Sequence, residues 1–147
     1  LYMGQKHCQK LSIGRDMIRQ LALPVELVMC PTVREADGLA MSSRNVRLSP
    51  EMRAAAPVIY QTLQWARQAL HEDKEVSAIQ TEAIRRLSDA GLKPEYFELA
   101  DGISLQPVEA KGAIQIAANS GAGTSIVACT AAFVGEVRLI DNMVLYP

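Results

Sequence analysis

The sequence predicts a mixed fold, an open α/β strand-helix-strand piece followed by an α+β unit of helices and an antiparallel sheet, and three observations predict it. A short apolar stretch at Leu1-Tyr2-Met3 meets a glycine and then a helical pattern, and an apolar, β-rich run follows at Val25 to Cys30. Two amphipathic helical patterns fill the middle of the chain. From Pro94 onward the period shifts to that of strands.

Leu11, Met17, Ile18 and Leu21 recur near the helical period, so the first helix opens beside Lys6 and His7. Those side chains then lie at a helix amino terminus, where unpaired N–H groups and the dipole favour anions. Val25-Glu26-Leu27-Val28-Met29-Cys30 reads as a buried strand ended by Pro31. Strand, turn, helix, strand and loop make half of an open α/β nucleotide site, whose ligands sit beyond the carboxyl ends of the strands. Ser49-Pro50 is a helix start, and Ala55, Val58, Ile59, Leu63, Ala66 and Leu70 carry that helix to about His71, with Trp65 as packing. A second helix runs from about Glu75 to Ala90, with Val76, Ile79, Ala83, Ile84 and Leu87 on one face and Gly91 as terminator. Tyr96-Phe97-Glu98-Leu99-Ala100 is a strand leading into an Asp101-Gly102 turn. The run Ile126 to Val134 turns at Gly135-Glu136 and pairs with Val137-Arg138-Leu139-Ile140-Asp141 as a short hairpin. Residues 112–123 read as a flexible surface loop.

The chemistry concentrates in Glu35-Ala36-Asp37-Gly38-Leu39-Ala40-Met41-Ser42-Ser43-Arg44-Asn45. Gly38 frees the backbone to turn, Ser42 and Ser43 offer hydroxyl donors, and Arg44 offers a planar fork for two phosphate oxygens. That set suits a polyphosphate. Lys6, at its helix start, is the second phosphate candidate.

Composition narrows the remaining classes. The 147 residues are 49% hydrophobic and 21% charged, as in a globular protein with a real core. Fifteen basic and sixteen acidic side chains give a formal charge of -1, so no broad basic surface awaits nucleic acid. No stretch reaches the roughly 18–20 apolar residues of a membrane span, and a cytoplasmic location is expected. Cys8, Cys30 and Cys129 are odd in number and far apart, which predicts inert thiols and neither a disulfide framework nor a metal site.

Three segments together resemble one family, the pantothenate synthetases or pantoate–β-alanine ligases, over essentially the whole chain. Pro31-Thr32-Val33-Arg34 through Asn45 resembles its version of the KMSKS loop, and Gly4-Gln5-Lys6-His7-Cys8-Gln9-Lys10 resembles its Gly-Glu/Gln-Lys-Asp-aromatic-Gln-Gln segment. Gly135-Glu136-Val137-Arg138-Leu139-Ile140-Asp141-Asn142 resembles its carboxy-terminal signature. The resemblance implies a remnant of a Rossmann-like nucleotide-binding domain over 1–33 and a small α+β lid domain over 34–147. It implies ATP-dependent condensation of pantoate with β-alanine through a pantoyl-adenylate, with Mg2+, and it allows a homodimer of the complete protein.

Carried over residue by residue, the resemblance puts Gly4, Gln5, Lys6 and His7 in the ATP site. Val33 goes to the adenine side, and Met41, Ser42, Ser43 and Arg44 close over the phosphates. Lys6, Ser42, Ser43 and Arg44 are the catalytic candidates, with Lys6 and Arg44 neutralising charge as pyrophosphate leaves. Lys10 takes a pantoate-binding position where the family carries glutamine, and His7 stands in place of the aspartate that accepts from ribose. Both changes remove acceptors, so weaker substrate binding is expected. The only histidines are His7 and His71, so the family's His-x-Gly-His motif is lacking and the chain reads as a carboxy-terminal fragment, inactive alone without its amino-terminal domain. The alternative is a non-catalytic nucleotide-binding or interaction fragment that keeps the fold.

Overall fold

The computed structural model describes residues 1–108 and 125–146; the segment 112–123, expected to be a loop, lies outside the described residues. The chain opens with β1 (Tyr2–Gly4), a 3-10 turn at Gln5–His7, α1 (Cys8–Gln20) and β2 (Val28–Cys30). β1 and β2 pair in parallel, with Met3 opposite Met29, so α1 is the crossover of a small α/β unit. α1 closes on a left-handed Ala22, with the Leu23 amide donating to the Ile18 carbonyl at 3.0 Å. The expected buried strand from Val25 is shorter and barer. Pro24 and a local Val25-to-Leu23 bond hold the start of that run in a turn, and Met29 stays exposed. α1 buries only Leu11 and leaves Ile13 and Met17, and Leu21 just after its end, in solvent.

The second part carries the core. α2 (Pro50–Ala55) is capped by the Ser49 hydroxyl, which accepts from the Met52 amide at 3.2 Å. The single helix expected from Pro50 to His71 is in fact two, because Pro57 has no N–H to donate and its ring clashes with the preceding turn. α3 therefore begins at Val58 and runs to His71. α4 (Val76–Asp89) ends at Gly91, whose φ of +82° gives the left-handed terminator read from the sequence. β3 (Lys93–Asp101), β4 (Ile126–Val134) and β5 (Val137–Tyr146) form an antiparallel sheet in that order. The hairpin is long rather than short, since β5 stays paired with β4 as far as Tyr146. Ile59, Leu63, Ile79 and Leu87 of the helices meet Leu99, Ile126 and Leu145 of the sheet in a dry core. Trp65 packs at its margin beneath the Arg86 guanidinium, 4.4 Å away.

Two polar residues of β5 tie the parts together. Arg34, in the loop after β2, donates to the Asp141 carboxylate from both terminal guanidinium nitrogens, at 2.6 and 3.0 Å. Arg34 also donates to the carbonyls of Gly38 and Asn142 and lies 4.2 Å from the Tyr60 ring. The Asn142 amide donates to the carbonyls of Gln5 and Lys6 at 2.9 and 3.1 Å. The three cysteines are free thiols, and although Cys8 and Cys129 are far apart in sequence their sulfurs are 3.3 Å apart. The fold closes a gap that sequence distance conceals.

The Asp141 side chain is only 3% exposed, so removing it strands a partly buried guanidinium. Asp141→Ala should cost about 3–5 kcal/mol, whereas Arg85→Ala, at an exposed helical ion pair, should cost less than about 1 kcal/mol. Urea unfolding of both variants measures the contrast.

Candidate active-site cleft

The 3-10 turn at Gln5–His7 projects from the carboxyl end of β1, and a second one, Ser43–Arg47, follows the glycine loop. Ser42 initiates the second turn, its hydroxyl accepting from the Arg44 amide at 3.2 Å. That bond uses an oxygen lone pair and leaves the hydroxyl proton free for a ligand. Between the turns and the start of β5 lies a cleft of about 520 Å³ lined by Lys6, His7, Lys10, Met41, Ser42, Ser43, Arg44, Arg138, Leu139 and Ile140.

Lys6 reaches across this cleft. Its amine donates to the carbonyl of Met41 at 3.0 Å and, more weakly, to that of Ala40 at 3.4 Å. The Asn45 amide also donates to the Ala40 carbonyl, at 3.2 Å. The turn after β1 and the Ser-Ser-Arg loop are thus joined by one cation. Burial holds the Lys6 amine below its ordinary pKa, and the Asp141 carboxylate works against that shift. Arg44 donates to the Arg138 carbonyl at 3.2 Å, and the Arg138 guanidinium pairs with Glu95. Among the described residues the lining holds lysines and arginines and no carboxylate.

The cleft gathers most of the residues singled out in the sequence. Gln5 faces the opposite side, where it lines a second, more apolar cavity with Cys8 and Leu11. Gly4, at the end of β1, does not line the cleft, and Val33 is 66% exposed outside it. Arg138, which the motifs do not mark as a site residue, adds a guanidinium to the lining, while Asp141 and Asn142 stand behind it. One signal for the last two is visible in the sequence: an aspartate and an asparagine interrupt the apolar strand Leu139 to Leu145, and buried polar residues need partners. Among the described residues no three His, Cys, Asp or Glu side chains cluster as metal ligands. A lining of cations does not suit a protein-held Mg2+, which takes carboxylates and waters.

Gly38 shapes the loop. Its φ is +91°, and a Cβ there would fall 2.1 Å from the Tyr60 ring. Arg34 lies over that same ring.

The cleft and fold define a class: an α/β strand-turn-helix faced by an α+β unit, with a cationic, hydroxyl-bearing cleft between them. A family model described as Pantoate-beta-alanine ligase matches residues 1–144, and the chain belongs to that family. It is 41% identical over 143 residues to pantothenate synthetase of Stutzerimonas stutzeri, covering 97% of this chain and 46% of that protein. It is 44% identical over 144 residues to pantothenate synthetase of Bacteroides fragilis, covering 97% and 47%. The crystal structure of pantothenate synthetase from Thermus thermophilus superposes with a TM-score of 0.83 at 37% identity, over 99% of this chain and 49% of that one. The chain spans about half the length of the curated relatives it matches.

Gly38→Ala and Gly135→Ala both force alanine into a left-handed backbone, at about 1–2 kcal/mol. At Gly135 the obstacle is the flexible end of Met52, whereas at Gly38 it is the Tyr60 ring. Gly38→Ala should therefore lose more stability in urea unfolding, and only that variant should also weaken tripolyphosphate binding.

Proposed function

We propose that this chain supplies the phosphate-gripping half of a pantoate–β-alanine ligase. In this reaction the pantoate carboxylate attacks the α-phosphorus of ATP and expels pyrophosphate. The β-alanine amine then attacks the acyl carbon of the pantoyl-adenylate and expels AMP. One observation carries the reading: Lys6, Ser42, Ser43 and Arg44 share a cleft whose lining, among the described residues, contains cations and hydroxyls and no carboxylate. Family membership supports it.

In this reading Lys6 and Arg44 neutralise the charge that grows on the departing pyrophosphate, and Ser42 and Ser43 donate to its oxygens. Lys10, on the same wall, attracts the pantoate carboxylate as a point charge, and His7 lies toward the ribose. Gly4 and Gln5 shape the turn that presents Lys6, and Val33 borders the adenine. The division falls near residue 33, with the α/β piece before it and the lid after it. Any Mg2+ would enter as part of the nucleotide substrate, since the described lining offers it no carboxylate. Localisation to the cytoplasm fits a biosynthetic ligase, and among the described residues no helix is long and apolar enough to cross a membrane. Homodimerisation belongs to the complete assembly.

The opposite wall of the site belongs to the half of the family's length that this chain does not span. Tyr2, Ile13, Met17 and Leu21 are exposed on the α/β piece and suit a covering surface there. Positioning of reactants in a closed site supplies about 7–11 kcal/mol of a barrier, so the isolated cleft binds more than it catalyses.

Arg44→Ala should weaken ATP binding about tenfold or more, the worth of one charge-assisted contact, and leave AMP binding nearly unchanged. Calorimetric titration with each nucleotide is the measurement, and equal losses would remove Arg44 from the phosphates. The chain alone should release no AMP from ATP, pantoate and β-alanine. Joined to the half of the Stutzerimonas stutzeri relative that it does not span, it should yield AMP and pantothenate together, followed by a coupled assay and direct product detection.

A further inference from the structure

We propose that Cys8 and Cys129 form a reversible dithiol-disulfide site, in which Cys8 reacts with low-molecular-weight disulfides of the glutathione type and Cys129 completes the bond. The two residues are 121 apart in sequence, yet their sulfurs lie 3.3 Å from each other. A disulfide needs about 2.05 Å, so the sulfurs must approach by little more than an ångström. Cys8 is the first residue of α1, the more thinly packed element, and Cys129 sits within the central strand β4. The movement therefore falls to Cys8.

Both thiols are half-buried and open onto one cavity of about 200 Å³, whose charged and ionisable lining is Lys6, His7, Lys10 and Arg138 against the single carboxylate of Asp141, itself paired with Arg34. Such surroundings favour a thiolate and attract an oxidant bearing carboxylates, as glutathione disulfide does. Contact with the Cys129 thiol holds the Cys8 thiol below its ordinary pKa, opposed by burial and aided by the backbone amides of Gln9 and Cys8. The same contact and burial push the Cys129 thiol up. A lower pKa raises the thiolate fraction at neutral pH and lowers the nucleophilicity of each thiolate, so the two effects partly offset. What distinguishes the site is the second sulfur in contact with the first.

The chemistry balances in two exchanges. The Cys8 thiolate attacks one sulfur of the oxidant and releases one glutathione thiolate, leaving a mixed disulfide on Cys8. Cys129 yields its proton to solvent, its sulfur attacks the Cys8 sulfur, and the second glutathione thiolate departs. Two protein thiols are oxidised and one disulfide is reduced. The new bond would link the start of α1, two residues after Lys6, directly to the sheet.

The test exposes the reduced 147-residue chain to glutathione disulfide, alkylates the remaining thiols and maps peptides without reductant. The expected product is a Cys8-Cys129 linked peptide lacking two hydrogens, reversed by dithiothreitol and formed equally in Cys30→Ser. Cys129→Ser should accumulate one glutathione on Cys8, and Cys8→Ser should leave Cys129 unmodified over the same interval, with circular dichroism confirming that each variant is folded. If either variant is unfolded, the linkage map of Cys30→Ser decides alone. A link through Cys30, or a parent chain that keeps glutathione on Cys8 without closing the second bond, overturns the proposal.

Discussion

The Arg34–Asp141 ion pair is the constraint on which the rest of this molecule depends. The carboxylate is nearly inaccessible, and a guanidinium with a rigid planar fork meets it through both terminal nitrogens. That geometry anchors the entry of the glycine loop to the middle of β5. The remaining donors of Arg34 reach the Gly38 and Asn142 carbonyls, and its flat face rests on Tyr60. The Tyr60 ring in turn fills the space that only a glycine at position 38 leaves open. Loop shape, ring position and strand register are therefore coupled through one side chain. The next residue on the strand, Asn142, repeats the device toward the other turn by holding the Gln5 and Lys6 carbonyls. Adjacent residues of β5 thus set the separation of the two cleft walls.

With the walls held, the charge pattern of the cleft acquires a meaning that its residues lack separately. Lysine and arginine side chains brought together without a carboxylate repel one another, and a protein tolerates this only where something offsets it. Here carbonyl oxygens of Ala40 and Met41 receive the Lys6 amine, and Glu95 takes the Arg138 guanidinium from outside the lining. The cleft that these side chains line, about 520 Å³, is large enough for a triphosphate. Fixed donors around an anion need little reorganisation when charge moves onto a leaving group, which is the physical basis of electrostatic catalysis. Asp141 sits behind Lys6, close enough to favour its charged form.

How much of this was legible in the sequence depended on the range of the interaction. α4 was clear because its apolar period, its start and Gly91 all agree locally. The break between α2 and α3 was signalled by Pro57, but the apolar period continues through it and argued for one helix. β5 runs past its expected end at Asp141 because the polar pair Asp141-Asn142 is accommodated by partners invisible in the local sequence, Arg34 and the Gln5 and Lys6 carbonyls. Those partners are more than 100 residues away, at separations of 107 and 136–137. The Cys8–Cys129 contact was invisible for the same reason. The cleft residues were legible as motifs, and the reason they converge was not, since convergence is a property of the β5 contacts.

The distribution of packing adds a last consequence. The helices and sheet of the second part share a continuous apolar core, whereas α1 buries only Leu11 and the parallel sheet has two strands. A two-stranded sheet is marginal by itself. The α/β piece is therefore held in place largely by what it touches on the larger body: Asn142 on its turn, Lys6 on the loop, and the Ser12 hydroxyl on the Ile103 carbonyl. Local opening costs least where apolar contacts are few, so in this chain by itself the Lys6 wall would be less firmly held than the Arg44 wall and free to move relative to it. An anion spanning Lys6 and Arg44 would bias that motion toward closure, because it binds both walls only when they are close.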